Sequence, residues 1–162
     1  MPDAATEAAV RAEWDALAAA GLSSAGRHTG ASNRPHVTLL VRTSLAAFDA
    51  APLVARPVPL VLGAPVLFGA GDRRVLARSV VPSPELFALH ADLHAAAGAG
   101  DDLPHTAPGE WTPHVTLGRR MRVADLERAL GLLGDEVHGS AATLRRWDAA
   151  SATVTELGIF AR

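Results

Sequence analysis

Apolar positions recur along the chain with two different periods, and the change of period marks out the elements. Val10, Trp14 and Leu17 fall at helical spacing within Ala4–Ala20, and Gly21 follows as a stop signal. The stretch 23–33 is polar and glycine-containing, a connection. His36–Val41 is rich in β-branched residues and predicts a strand. A short apolar piece at 45–50 predicts a turn of helix. "VPLVLG" and "APVLFG" read as two strands separated by Gly63-Ala64-Pro65, and 73–81 as another. Ser83 as N-cap, Pro84 at the first helical position and Gly98 at the end bracket a second helix, with Leu86, Leu89 and Leu93 as its buried stripe. A loop over 97–110 leads into a strand opening with the second Pro-His-Val-Thr-Leu at 113–117. Val123–Leu133, with Val123, Leu126 and Leu130 at helical spacing, predicts a third helix, and two closing strands are expected at roughly 137–147 and 151–161.

One pentamer occurs twice. Pro-His-Val-Thr-Leu stands at 35–39 and again at 113–117. Each copy follows a helix ending in Ala-Ala-Ala-Gly or close to it, at Gly21 and at Gly98, and then a loop of similar length. Each leads through a short helical stretch into two strands. The repeated unit is thus larger than five letters, which predicts duplicated lobes. The second helix has strand 73–81 before it, whereas only Met1-Pro2-Asp3 precede the first, so lobe one is expected to lack its opening strand.

Composition narrows the chemistry. At 162 residues, 49% apolar and 20% charged, the chain is a globular domain rather than a disordered one. A net charge of −2 gives no general attraction to nucleic acid or membrane, so any anionic ligand must meet a local basic patch. There is no cysteine, which excludes disulfides, thiolate zinc sites and cysteine nucleophiles. All fifteen basic residues are arginine, which removes the phosphate-loop lysine and Schiff-base chemistry. With no tyrosine, proton transfer falls to histidine or to a shifted carboxylate. The first residues have no signal-peptide pattern, and the most apolar run, Leu53 to Ala70, is broken by Arg56 and prolines. A cytoplasmic protein without a membrane span is expected.

Residues two apart on a strand share a face, so His36 projects with Thr38 and His114 with Thr116, while Val37, Leu39, Val115 and Leu117 turn to the core. Two imidazoles and two hydroxyls around one object suit a phosphate diester. One neutral histidine takes a proton from the attacking oxygen, the other protonates the leaving oxygen, and the threonines donate to the non-bridging oxygens. A single His-x-Thr in a strand is usually incidental. Two copies in matched contexts favour the functional reading over a purely structural duplication.

His36-Val37-Thr38-Leu39 and His114-Val115-Thr116-Leu117 resemble the paired H-x-T-x motifs of the 2H phosphoesterase superfamily, nearest its bacterial 2′-5′ RNA ligase-like and cyclic phosphodiesterase branch. The resemblance covers nearly the whole chain. It implies an α+β fold of two lobes, approximately 1–70 and 71–162, built from duplicated β-α-β-x-β-β units with antiparallel sheets around a central groove. It further implies a phosphodiesterase acting on 2′,3′-cyclic phosphate ends or 2′-5′ linkages of RNA or nucleotides, without metal or other cofactor, and most simply as a monomer. Catalysis would fall to His36 and His114, and phosphate binding to Thr38 and Thr116. The family's second motif carries an arginine five residues after its histidine, here Arg119. Strict alternation would instead put Arg120 on the site face, so both are candidate substrate contacts.

Other features have blander accounts. His90 and His94, four apart on a helix, could share a metal, but no third ligand is evident and two boundary histidines explain them better. Trp111 and Phe68 could stack on a base, yet by parity Trp111 belongs in the core. The rival functions are a module that binds RNA ends without turnover, and a histidine-metal hydrolase.

Overall fold

Asp3 starts the first helix: its carboxylate accepts from the Thr6 amide at 2.8 Å, satisfying one of the free donors of the first turn. The computed structural model describes residues 1–30 and 32–161. Helix α1, Ala4–Ala19, buries Val10, Trp14 and Leu17. Ser83 caps α2, Pro84–Ala97, by accepting from Leu86 N at 3.1 Å, and Gly98 at φ +67° ends it. Leu86, Leu89 and Leu93 are buried, as their spacing predicts.

The two strands expected on either side of Gly63-Ala64-Pro65 are one. Strand β1, Pro59–Phe68, runs through this triplet as a bulge opposite β2, Arg73–Val80. Pro65 has no N–H for a ladder, and the bulge turns the neighbouring carbonyls outward to side chains. Arg78 donates to Gly63 O at 3.1 Å and Ser79 Oγ to Ala64 O at 2.8 Å. Arg78, nearly fully buried, also pairs with Glu13 of α1 and bonds Gly134 O, clamping helix to sheet.

Strand β3, His114–Arg122, carries the second pentamer. The third helix is shorter than its spacing predicts. A 3₁₀ turn at Val123–Asp125 precedes α3, Leu126–Leu130, and Ala129 is buried while Val123 and Leu130 are exposed. At 45–50 there is no helix; a 3₁₀ turn follows at Ala51–Val54.

The expected strand 137–147 is broken in two. Strand β4, Val137–Ser140, adds to the first sheet, whose order is β3-β2-β1-β4, all antiparallel. Strand β5, Thr143–Asp148, pairs instead with β6, Thr153–Ile159, in a separate two-stranded sheet. The break lies where the first residues cross the chain. Pro2 forms a single bridge opposite Ala141, and Asp3 N and Ala142 N exchange bonds with Ser140 O and Met1 O. One bridge thus stands where the repeat predicts an opening strand. The α+β class with antiparallel sheets agrees with the sequence reading, and the two sheets are consistent with a two-lobed arrangement. Among the described residues no helix is long and apolar enough to cross a membrane.

Candidate functional site

The two pentamers are held alike, although only one lies in a sheet. Residues 36–41 form no strand ladder, which corrects the expected strand. Their backbone groups are satisfied one at a time from α2 and the loop before β3. Trp111 Nε1 donates to Thr38 O at 2.9 Å, His94 Nε2 bonds Leu39 O at 3.3 Å, and Leu103 N donates to Val41 O at 3.0 Å. Thr106 Oγ1 accepts from Val41 N, and Arg42 closes the segment on Asp102. In the second pentamer the backbone pairs with β2, and Trp14 Nε1 of α1 donates to Thr116 O at 3.0 Å. Each motif threonine therefore offers its carbonyl to a tryptophan that comes from the neighbourhood of the other motif or from α1.

The histidines show the same match. His36 Nδ1 bonds Arg34 O at 2.7 Å, and His114 Nδ1 bonds Thr112 O at 2.8 Å, each two residues back. A carbonyl only accepts, so Nδ1 carries the proton in both rings and Nε2 is left with its lone pair in the neutral form. Among the described residues neither Nε2 has a hydrogen-bond partner. Around them Val115 and Leu117 are fully buried and His114 and Thr116 half-buried, the alternation the strand requires.

His36 is exposed to solvent, yet the protein around it removes part of its hydration. That dehydration lowers its pKa; its bond to Arg34 O opposes the shift, and the positive charges of Arg145 and Arg119 add to it. The charge of Arg119, five residues beyond His114, is thus felt at His36. Alternation from His114 would have chosen Arg120, but β3 is irregular in register against β2 between Arg74 and Ala77. These shifts break the parity. Arg120 sits at φ +58° and offers its carbonyl to Arg73, while the Arg119 carbonyl accepts from Ser23 Oγ. Gly118 is required there: a Cβ would lie 2.5 Å from the Ser23 carbonyl oxygen. Phe68 packs its ring 4.5 Å from His114 and is half-buried, so it backs the imidazole.

The remaining candidates resolve as structure. His90 and His94 are buried rather than at a boundary; their rings lie 4.4 Å apart, and His90 stacks on Trp111 at 4.0 Å and 4°. His90 Nε2 bonds Thr106 O, and His94 bonds Asp102 and Leu39. Among the described residues no cluster of three His, Asp or Glu could hold a metal ion. Trp111 is buried, as parity expected. Sequence reasoning missed Arg145 of β5, whose charge reaches His36, because nothing in the order of residues places 145 beside 36. It also missed Trp14 and Trp111 as donors to the motif backbone, since a core tryptophan reads the same whether or not its N–H has a task.

No curated protein matches the chain. The family described as the 2′-5′ RNA ligase superfamily matches residues 6–162, from the first helix through β6 and including both pentamers. That span is nearly the whole chain, and the 2H phosphoesterase-type activity it supports agrees with the paired histidines and threonines. The chain belongs to the 2′-5′ RNA ligase superfamily, a branch of the 2H phosphoesterases.

Proposed function

We propose that this protein is a metal-independent phosphodiesterase that opens 2′,3′-cyclic phosphate ends or cleaves 2′-5′ linkages of RNA or nucleotides. The observation that carries the reading is the matched pair of imidazoles, each bonding through Nδ1–H to a carbonyl two residues back and leaving Nε2 without a partner among the described residues. His36 is the base, because its lowered pKa keeps it neutral near pH 7. Its Nε2 takes a proton from water as the water oxygen attacks phosphorus. The bond from phosphorus to the leaving sugar oxygen breaks, and that oxygen takes the Nε2 proton of His114. Thr38 and Thr116 donate to the non-bridging oxygens, whose charge must be stabilised in the transition state. Arg119 adds positive charge beside the phosphate. Exchange with solvent then returns both rings to their starting states.

The test is hydrolysis of a 2′,3′-cyclic nucleotide in the presence of a chelator. His36→Ala and His114→Ala should each lower kcat/KM by roughly 10²–10⁴-fold, the usual contribution of a positioned acid or base. Turnover that survives both substitutions ends the proposal, and turnover that requires added metal replaces it with metal-assisted hydrolysis. Saturable binding of RNA ends with no product would mark a binding module instead.

A further inference from the structure

We infer that Arg145 forms a second anion subsite beside His36, which takes another phosphate of the substrate: a terminal phosphate or a neighbouring internucleotide diester. This rests on the phosphodiesterase reading above and names the substrate class more closely.

The arginine is poorly matched by its own protein. Arg145 is half-buried on β5 and among the described residues makes one hydrogen bond, from NH2 to Ser32 O at 3.1 Å, four residues before His36. A guanidinium has five N–H donors, so the described residues match only part of its capacity. Glu156 stands directly opposite it in the β5–β6 register, where a cross-strand ion pair would ordinarily form. Among the described residues Arg145 nevertheless has no carboxylate within ion-pair distance. The nearby Glu7 is already engaged. It accepts from Arg11 Nε at 2.9 Å and from Arg34 through both carboxylate oxygens. Loss of hydration and the like charge of Arg34 both act against the Arg145 cation. A partly dehydrated guanidinium with donors unmatched among the described residues, next to another cation and the proposed base, is an arrangement that a phosphate would complete. The paired His-x-Thr set already accounts for the reacting phosphate, so Arg145 meets a different one.

Binding separates this from catalysis. Adenosine 2′-phosphate, adenosine 2′,5′-bisphosphate and 2′-phosphorylated adenylyl-adenosine would be titrated calorimetrically into wild type, Arg145→Gln and Arg145→Lys at low salt. Wild type should bind at least one of the two-phosphate ligands on the order of tenfold tighter than the monophosphate. The bisphosphate identifies a terminal phosphate and the dinucleotide a diester. Arg145→Gln should erase that advantage and leave the monophosphate affinity unchanged, while Arg145→Lys keeps part of it and carries the test if the glutamine variant does not fold. No advantage in wild type overturns the subsite, as does a substitution that weakens all ligands alike. Cyclic-phosphate hydrolysis is measured in parallel. Turnover without a two-phosphate advantage ends the subsite alone; an Arg145-dependent advantage without turnover upholds the subsite and ends the catalytic reading.

Discussion

Trp111→Phe tests how the first motif is held. The substitution keeps an aromatic ring to stack on His90, now 4.0 Å from the indole, and removes only the N–H that donates to Thr38 O at 2.9 Å. Thr38 lies outside any ladder, and among the described residues its carbonyl has no second donor. A partly buried carbonyl left without a partner costs about 1–3 kcal/mol. For a chain of this size each kcal/mol moves the melting temperature by about 2–4 °C, so a loss of about 2 kcal/mol predicts a fall of about 4–8 °C. Released from the indole, residues 36–39 should also hold the Thr38 hydroxyl less well, and kcat/KM should fall by about tenfold at a temperature where the variant is fully folded. Trp14→Phe is the control. It removes the donor to Thr116 O, but Thr116 stays paired with β2, so both effects should be smaller. A calorimetric melting temperature within 1 °C of wild type, together with unchanged kinetics, would show that the first motif does not depend on the indole.

Other consequences can be checked directly. The lowered pKa values of His36 and His90 mean that the unfolded chain binds more protons below about pH 6.5. Stability should therefore decline as pH falls, beginning with the half-buried Met1 amine, whose pKa drops from 8.0 to about 5, then through the two histidines, with Glu7 and Asp102, both depressed, extending the decline to lower pH; urea midpoints that stay flat from pH 8 to 5 would contradict this. In the same direction, the acid limb of kcat/KM should lie below the usual imidazole value and move upward in Arg145→Gln. Gly118→Ala drives a methyl into the Ser23 carbonyl, with an expected loss of about 1–3 kcal/mol and displacement of Arg119, read by denaturation and by KM. Ser83→Ala should cost about 1 kcal/mol by removing the cap on α2, with no effect on activity.

Local signals were readable wherever one residue acts on its own neighbourhood. Ser83, Pro84 and Gly98 bracket α2 because a cap and a stop act within one turn of their own backbone. Gly63-Ala64-Pro65 misled for a related reason. A turn and a bulge call for the same residues, and the choice fell to Arg78 and Ser79, which donate from the next strand to the outward carbonyls of the bulge. Val123 and Leu130 have helical spacing, but no facing surface covers them.

The sequence by itself determined the pairing of the motifs, since the repeat of Pro-His-Val-Thr-Leu is visible however the lobes are arranged. It also determined the extent of α1 and α2 and the family. The tertiary structure alone decided that the first motif is held by indole, imidazole and hydroxyl groups in place of a ladder, that β3 departs from simple alternation at Arg119 and Arg120, and that the charges of Arg119 and Arg145 act on His36. Each of these depends on contacts between residues tens of positions apart, or on a register shift that reverses strand parity, and neither leaves a periodic trace in the chain.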